Sequence, residues 1–275
     1  MVCAMTLLPF MDSLSKYLVA DYSSWQITWA RNAVHALVLL PFALTYYGLK
    51  SLTPAHLKLQ LLRGICFGVA TACYVFSMRF MPLADAVALI FLFPFLVVAA
   101  SPIFLGERIG VYRWIAVATG FSGILLVVRP GFAELNPGIP FSLVAAVLTA
   151  GYIISTRKLA GTSPTLVMLM FPALVSAVLL SVALPFHWIT PDLKAASIMV
   201  VIGFIGAIVH CLIILAYRYA EASQIVSLAY LQVVVTILLG YLFFGEVPEL
   251  FTWLGIALVV ASGVFIGWRE TVART

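Results

Sequence analysis

The chain has 275 residues, 64% of them hydrophobic and 9% charged, with a formal net charge of +5. Soluble domains carry about 25% charged residues, so this composition excludes a water-covered globule and leaves lipid to cover most of the surface. The basic residues stand singly between apolar runs and form no patch, which excludes a nucleic-acid face.

A transmembrane helix needs about 20 mostly apolar residues. Ten such spans are predicted, at 2–19, 25–47, 58–79, 83–104, 111–129, 139–158, 165–187, 195–217, 223–244 and 250–268. The expected fold class is an all-α integral membrane protein. The first span opens apolar, without a basic leader or a small-residue cleavage site, and is expected to span and not to be a signal peptide. Turn-forming steps fall between spans, at Leu52-Thr53-Pro54, Arg129-Pro130-Gly131, Asn136-Pro137-Gly138, Ser163-Pro164 and Thr190-Pro191.

Span one carries Asp12 and Lys16, four residues apart on one helix face, acid before base. Span two carries Arg31, Asn32 and His35, with Arg31 and His35 sharing a face. The two spans run in opposite directions. Lys16 and Arg31 therefore fall at similar depth, and Asp12 and His35 both fall near the middle. An ionisable group within a bilayer costs about 2.5–3.5 kcal/mol on insertion scales, so it marks function by default. The other reading is a structural ion pair, Asp12–Lys16 or Asp12–Arg31, holding two helices together; Lys16 and Arg31 could also snorkel outward. His35 titrates near neutrality if unperturbed and could carry a proton.

Span three contributes Tyr74, which could stack on a flat or cationic solute or simply pack between helices. Span four has Pro94 in its middle, where a proline frees a carbonyl that cavity water or protein must satisfy. A bent fourth helix lining a pathway is expected, or else a packing kink. In span eight lies His210, and in span nine lie Tyr230 and Gln232, the last able to hydrogen-bond a solute. The steps Gly120-Phe-Ser-Gly123, Gly203-Phe-Ile-Gly206 and Ser262-Gly263 suit close helix approach. Cys3, Cys66, Cys73 and Cys211 all sit in apolar runs with no Cys-x-x-Cys pair, so no disulfide framework, metal site or cofactor is expected.

Arg79 to Trp114 repeats without a gap at Arg218 to Trp253, at a constant offset of 139 residues. Arg79, Val87, Leu89, Leu92, Phe104, Gly106-Glu107 and Trp114 match Arg218, Val226, Leu228, Leu231, Phe243, Gly245-Glu246 and Trp253, 8 identities in 36 positions. Each half, 1–130 and 138–270, holds five predicted spans, an odd number, so the second half enters the membrane upside down. Inverted repeats are the architecture of many secondary transporters. Lys and Arg favour the cytoplasmic side. With both termini inside, inner loops hold Lys50, Lys58, Arg63, Arg108, Arg113, Arg157, Lys158 and Arg218, and the tail adds Arg269 and Arg274, against Lys16, Arg79, Arg129 and Lys194 outside.

Glu107 and Glu246 recur, so they read as scaffold, each capping or clasping a neighbouring helix end. Arg31, Asn32 and His35 become Phe171, Pro172 and Val175 in the second half, and Asp12 and Lys16 fall opposite Tyr152 and Thr156. His210 faces Thr71 across the repeat. These unrepeated residues are the candidates for solute or coupling-ion work.

The Arg63-Gly64 opening of span three, the run Met81-Pro82-Leu83-Ala84-Asp85-Ala86 with Phe93-Pro94, and Leu105-Gly106-Glu107-Arg108 with Trp114 and Gly120-x-x-Gly123 resemble the EamA-type transporters of the drug/metabolite transporter superfamily. The resemblance covers nearly the whole chain as two tandem repeats. It implies ten helices, both ends cytoplasmic, and a central cavity between halves. The second copy departs from the pattern: Pro94 becomes Val233 and Pro82-Leu83 becomes Glu221-Ala222, so its copy of the bent helix is expected to be straighter.

The expectation is a secondary transporter in the inner membrane, moving an amino acid, vitamin or related metabolite by alternating access, driven by exchange or protons. No G-x-x-x-x-G-K-[ST] motif offers an ATP site. A channel would show a filter loop or ring of like charge. An intramembrane enzyme would show a nucleophile with its base or a His cluster. Neither pattern is visible.

Overall fold

The structure, a computed structural model, describes residues 1–107, 109–129, 136–219 and 228–272. Side chains at 214, 217–219, 266–267 and 269–272 lie outside that description, as do Arg108, Glu221-Ala222, Val226 and Arg274. The described residues are helical with connecting turns, and no strand occurs among them. Lipid offers no hydrogen-bond partners, so each spanning segment must satisfy its own backbone, and helices do that.

The helices are α1 Val2–Val19, α2 Ser24–Tyr47, α3 Leu57–Ser77, α4 Leu83–Ile90, α5 Phe93–Leu105, α6 Val111–Val128, α7 Gly138–Lys158, α8 Thr165–His187, α9 Leu193–Tyr219, α10 Leu231–Phe244 and α11 Leu250–Val272. Among the described residues, eight segments are long and apolar enough to cross a membrane, counting α4 and α5 as one segment, and α10 and α11 supply two shorter apolar stretches. The polar residues punctuate these helices. The Ser23 hydroxyl accepts from Trp25 N at 3.3 Å and caps α2. α5 and α10 end on Gly106 and Gly245, both left-handed at φ 70° and 66°. Only glycine adopts that conformation freely, which explains why this glycine is kept in both copies.

The burial pattern is that of a membrane protein. Gln26, Thr28, Asn32, Gln60 and Ser176 are all fully buried, while Ile103, Val182, Phe186 and Leu193 are exposed. Helices pair across the two halves of the sequence: α2 with α8, α3 with α7, α6 with α11, and α1 with α9 and α10. Small residues set the closest approaches. A Cβ on Gly123 would meet Gly255 O at 2.8 Å, and one on Gly203 would meet Arg31 O at 3.0 Å. The glycine steps thus bring α6 onto α11 and α9 onto α2.

Two expectations need correction. The fourth span is not one bent helix: it breaks at Phe91-Leu92 into α4 and α5, and Pro94 lies in the first turn of α5. A proline there lacks only a donor that the first turn leaves unused. In the second copy a turn at Tyr230 precedes α10, where Val233 stands in place of the proline, and residues 220–227 before it lie outside the described residues. Phe91 and Tyr230, equivalent across the repeat, meet with ring centroids 5.6 Å apart. A turn residue thus precedes the helix in both copies, with a proline only in the first. Arg63, expected in a loop, lies inside α3 and is 1% exposed, which removes it from the cytoplasmic tally.

Candidate functional site

α1, α2, α3 and α9 bring five of the candidate residues together. Asp12 on α1 is 1% exposed and accepts a hydrogen bond from the Tyr74 hydroxyl of α3 at 3.2 Å. Arg31 on α2 lies within electrostatic reach of both Asp12 and Tyr74. It is 8% exposed, yet it forms no hydrogen bond or ion pair among the described residues. Its neighbour one helical turn on, His35, stands with its ring centroid 5.1 Å from that of His210 on α9. His210 Nδ1 lies 2.8 Å from Gly206 O, and its ring meets Phe67 edge-on at 6.0 Å. His35 Nε2 is buried and has no partner among the described residues.

Helix geometry explains this convergence. Residues four apart share a helix face, so Arg31 and His35 look the same way from α2. α9 carries glycine where that face meets it. A Cβ placed on Gly206 would lie 3.7 Å from Met11 Sδ, 3.9 Å from His35 Nδ1 and 4.0 Å from Arg31 Nε. Gly206 thus faces the cluster directly.

The remaining candidates lie elsewhere. Lys16 does not pair with Asp12; it forms a salt bridge with Glu246 and donates to Met81 O at 2.8 Å. Asp12 sits deep in the protein, whereas Glu246 and the free Met81 carbonyl stand at the end of α1 within reach of a long side chain. Asn32 donates to the Ser176 hydroxyl at 2.7 Å, tying α2 to α8, while its Oδ1 has no partner among the described residues. Tyr230 packs on Phe91 at the two helix breaks, with Pro94 in the turn that follows the first of them. Gln232, half-buried on α10, makes no hydrogen bond among the described residues.

Sequence reading missed a second buried cation. Arg63 donates to Met168 O, lies 3.1 Å from Met168 Sδ, and stands 5.5 Å from the Tyr152 ring centre. Gln60 shares the sulfur at 3.2 Å. The spacing Gln60-x-x-Arg63 on one helix face was the available signal. Glu246 proves to be a cap: its Oε2 accepts from Leu83 N at 2.8 Å at the start of α4.

The described residues thus form a polytopic helical protein with an arginine, a carboxylate and two imidazoles gathered within it. The EamA-like transporter family matches residues 1–129 and 136–268 of the chain. The protein belongs to that family and is a transporter. It is 26% identical over 264 residues to an S-adenosylmethionine uptake transporter of Rickettsia bellii, covering 96% of this chain and 90% of that one. It is 28% identical to a riboflavin transporter of Rhizobium johnstonii, covering 91% and 82%. A pseudopaline exporter of Pseudomonas aeruginosa is 27% identical, covering 93% and 88%. A solved crystal structure superposes with a TM-score of 0.65 over 99% of both chains at 19% identity, a likeness of fold.

Proposed function

We propose that the protein is a secondary carrier whose solute binds among Asp12, Arg31, His35, Tyr74 and His210. The observation that carries this reading is Arg31: a residue only 8% exposed, whose guanidinium forms no hydrogen bond or ion pair among the described residues. A buried charge is held in proteins by a partner, and a solute's acid group supplies one. Asp12 offers the opposite charge on the facing helix. Together they suit a zwitterionic or acidic metabolite. S-adenosylmethionine, the solute named for the Rickettsia relatives, has both an acid group and cationic centres. Riboflavin, named for other relatives, is flat, and the rings of His35, His210 and Phe67 offer a surface for such a group.

The carrier has ten crossings in two inverted five-helix repeats, 1–130 and 138–270, with both termini on the cytoplasmic side of the inner membrane. The family match in two segments and the cross-half helix pairs support this arrangement. The halves rock about the cluster in alternating access, and gradient, exchange or protons drive the cycle. His35 and Asp12 are the proton candidates, and uptake that ignores an imposed pH gradient removes them from that role. Uptake and export relatives are both similar to this chain, and an alternating carrier runs with its gradient.

The test is counterflow in proteoliposomes loaded with S-adenosylmethionine, amino acids or riboflavin. Saturable exchange of one of these, lost in Arg31→Ala, supports the reading. Unsaturable flux points to a channel instead.

A further inference from the structure

We propose that two reciprocal charge clasps, Lys16–Glu246 and Arg157–Glu107, are the alternating gates at the two membrane faces. The proposal rests on the carrier reading. Glu107 and Glu246 stand 139 residues apart, each just after the glycine that ends α5 or α10. Each meets a cation in the last turn of the other half's first helix. Lys16 of α1 bonds Glu246 of the second half, and Arg157 of α7 lies 3.6 Å from Glu107 of the first. At offset 140, Lys16 falls on Thr156, the residue before Arg157. A cation stands over a ring beside each pair: Lys16 lies 5.3 Å over Phe244, and Lys158, next to Arg157, lies 5.6 Å over Phe104.

By count of crossings, α1 ends at the face bearing the α1–α2 loop and α7 ends at the opposite face. One cross-half clasp therefore sits at each face. They are not equally tight. Lys16 and Glu246 are 10% and 22% exposed, and further bonds to Met81 O and Leu83 N draw the turn before α4 into the pair. Asp85 lies within electrostatic reach of Lys16 and takes a hydrogen bond from Thr252 at 2.9 Å. Arg157 and Glu107 are 53% and 43% exposed. Two permanent pins in a symmetric frame should be alike. One closed and one loosened clasp is what a carrier sealed at one face requires, because it cannot open both at once.

The clasps make a prediction for amide hydrogen exchange in nanodiscs, with no solute needed. Lys16→Met and Glu246→Gln should each speed exchange at least threefold at 15–19 and 83–86. The same variants should slow exchange at least threefold at 105–107 and 157–159, on the opposite face. Arg157→Met should do the reverse, and the swap of Lys16→Glu with Glu246→Lys should restore the wild-type exchange at 105–107 and 157–159, though not at 83–86, where Leu83 N loses its acceptor. Faster exchange at the mutated face with no slowing at the other makes the pair a structural pin and overturns the proposal. Counterflow of S-adenosylmethionine, amino acids or riboflavin is measured on the same purified variants reconstituted in proteoliposomes. Intact wild-type counterflow without the reciprocal exchange response removes the gates alone, whereas a wild type that exchanges no solute removes the carrier reading.

Discussion

Tyr74 donates its hydroxyl to Asp12 across 3.2 Å, and Arg31 stands within electrostatic reach of both without bonding either. The carboxylate is thus held in place by a neutral group, while the guanidinium is left for something else. A hydrogen bond to a charged group contributes about 1.5–3 kcal/mol. Tyr74→Phe should therefore weaken apparent solute affinity on the order of tenfold, with the protein still folded. Asp12→Asn should abolish uptake. Kinetics of both in proteoliposomes check this, and unchanged KM in Tyr74→Phe would separate Asp12 from the solute.

The two buried arginines should respond oppositely to removal. Arg63 fills its site with bonds to Met168 O and Sδ, so Arg63→Ala should cost about 1.5–3 kcal/mol of stability. Arg31 is buried without such bonds. Arg31→Ala should leave the melting temperature unchanged or raise it, while ending transport. Thermal unfolding in detergent reads both, and a large loss of stability in Arg31→Ala would make Arg31 a structural residue.

Gly206 tests the shape of the cluster. The positions around its added Cβ, at 3.7–4.0 Å, are ordinary van der Waals contacts. Gly206→Ala should fold and raise KM several-fold. Gly206→Leu would project onto Met11, His35 and Arg31 and should block uptake. Wild-type transport in Gly206→Leu would move the solute path away from α9.

Gly123 tests the frame. A Cβ there meets the Gly255 carbonyl at 2.8 Å, backbone that cannot step aside. Gly123→Val should force α6 from α11 at about 1–3 kcal/mol, the usual cost of overpacking. Melting temperature should fall, and uptake with it. An unchanged melting temperature would show that α6 and α11 do not pack this closely.

Orientation is open to labelling. In a background lacking exposed Cys3, a cysteine at Lys50 should react with an impermeant maleimide only from the cytoplasmic side. One at Leu193, which is 88% exposed, should react only from outside. The reverse pattern inverts the protein.

Much of this was legible in the residues, and the exceptions have physical causes. Helical spacing put Arg31 and His35 on one face, and the antiparallel run of two spans put Asp12 at their depth. The paired glycines at 106 and 245 announced two equivalent helix ends. Lys16 was misassigned because i, i+4 spacing favours its local partner, whereas its true partner lies 230 positions away. Arg63 looked like loop charge because it follows Pro54 and Lys58 closely, and only packing shows it buried. Pro94 points to a bend at its own position, whereas the helix breaks one turn earlier at Phe91-Leu92 and the proline sits in the first turn of α5, where it needs no donor.

Counterflow of labelled solute into reconstituted vesicles, compared between the wild type and Arg31→Ala at matched insertion, tests the central claim most directly. Saturable exchange in the wild type and none in Arg31→Ala is the predicted result. Equal exchange in the two would contradict it and place the solute site away from the unpaired arginine.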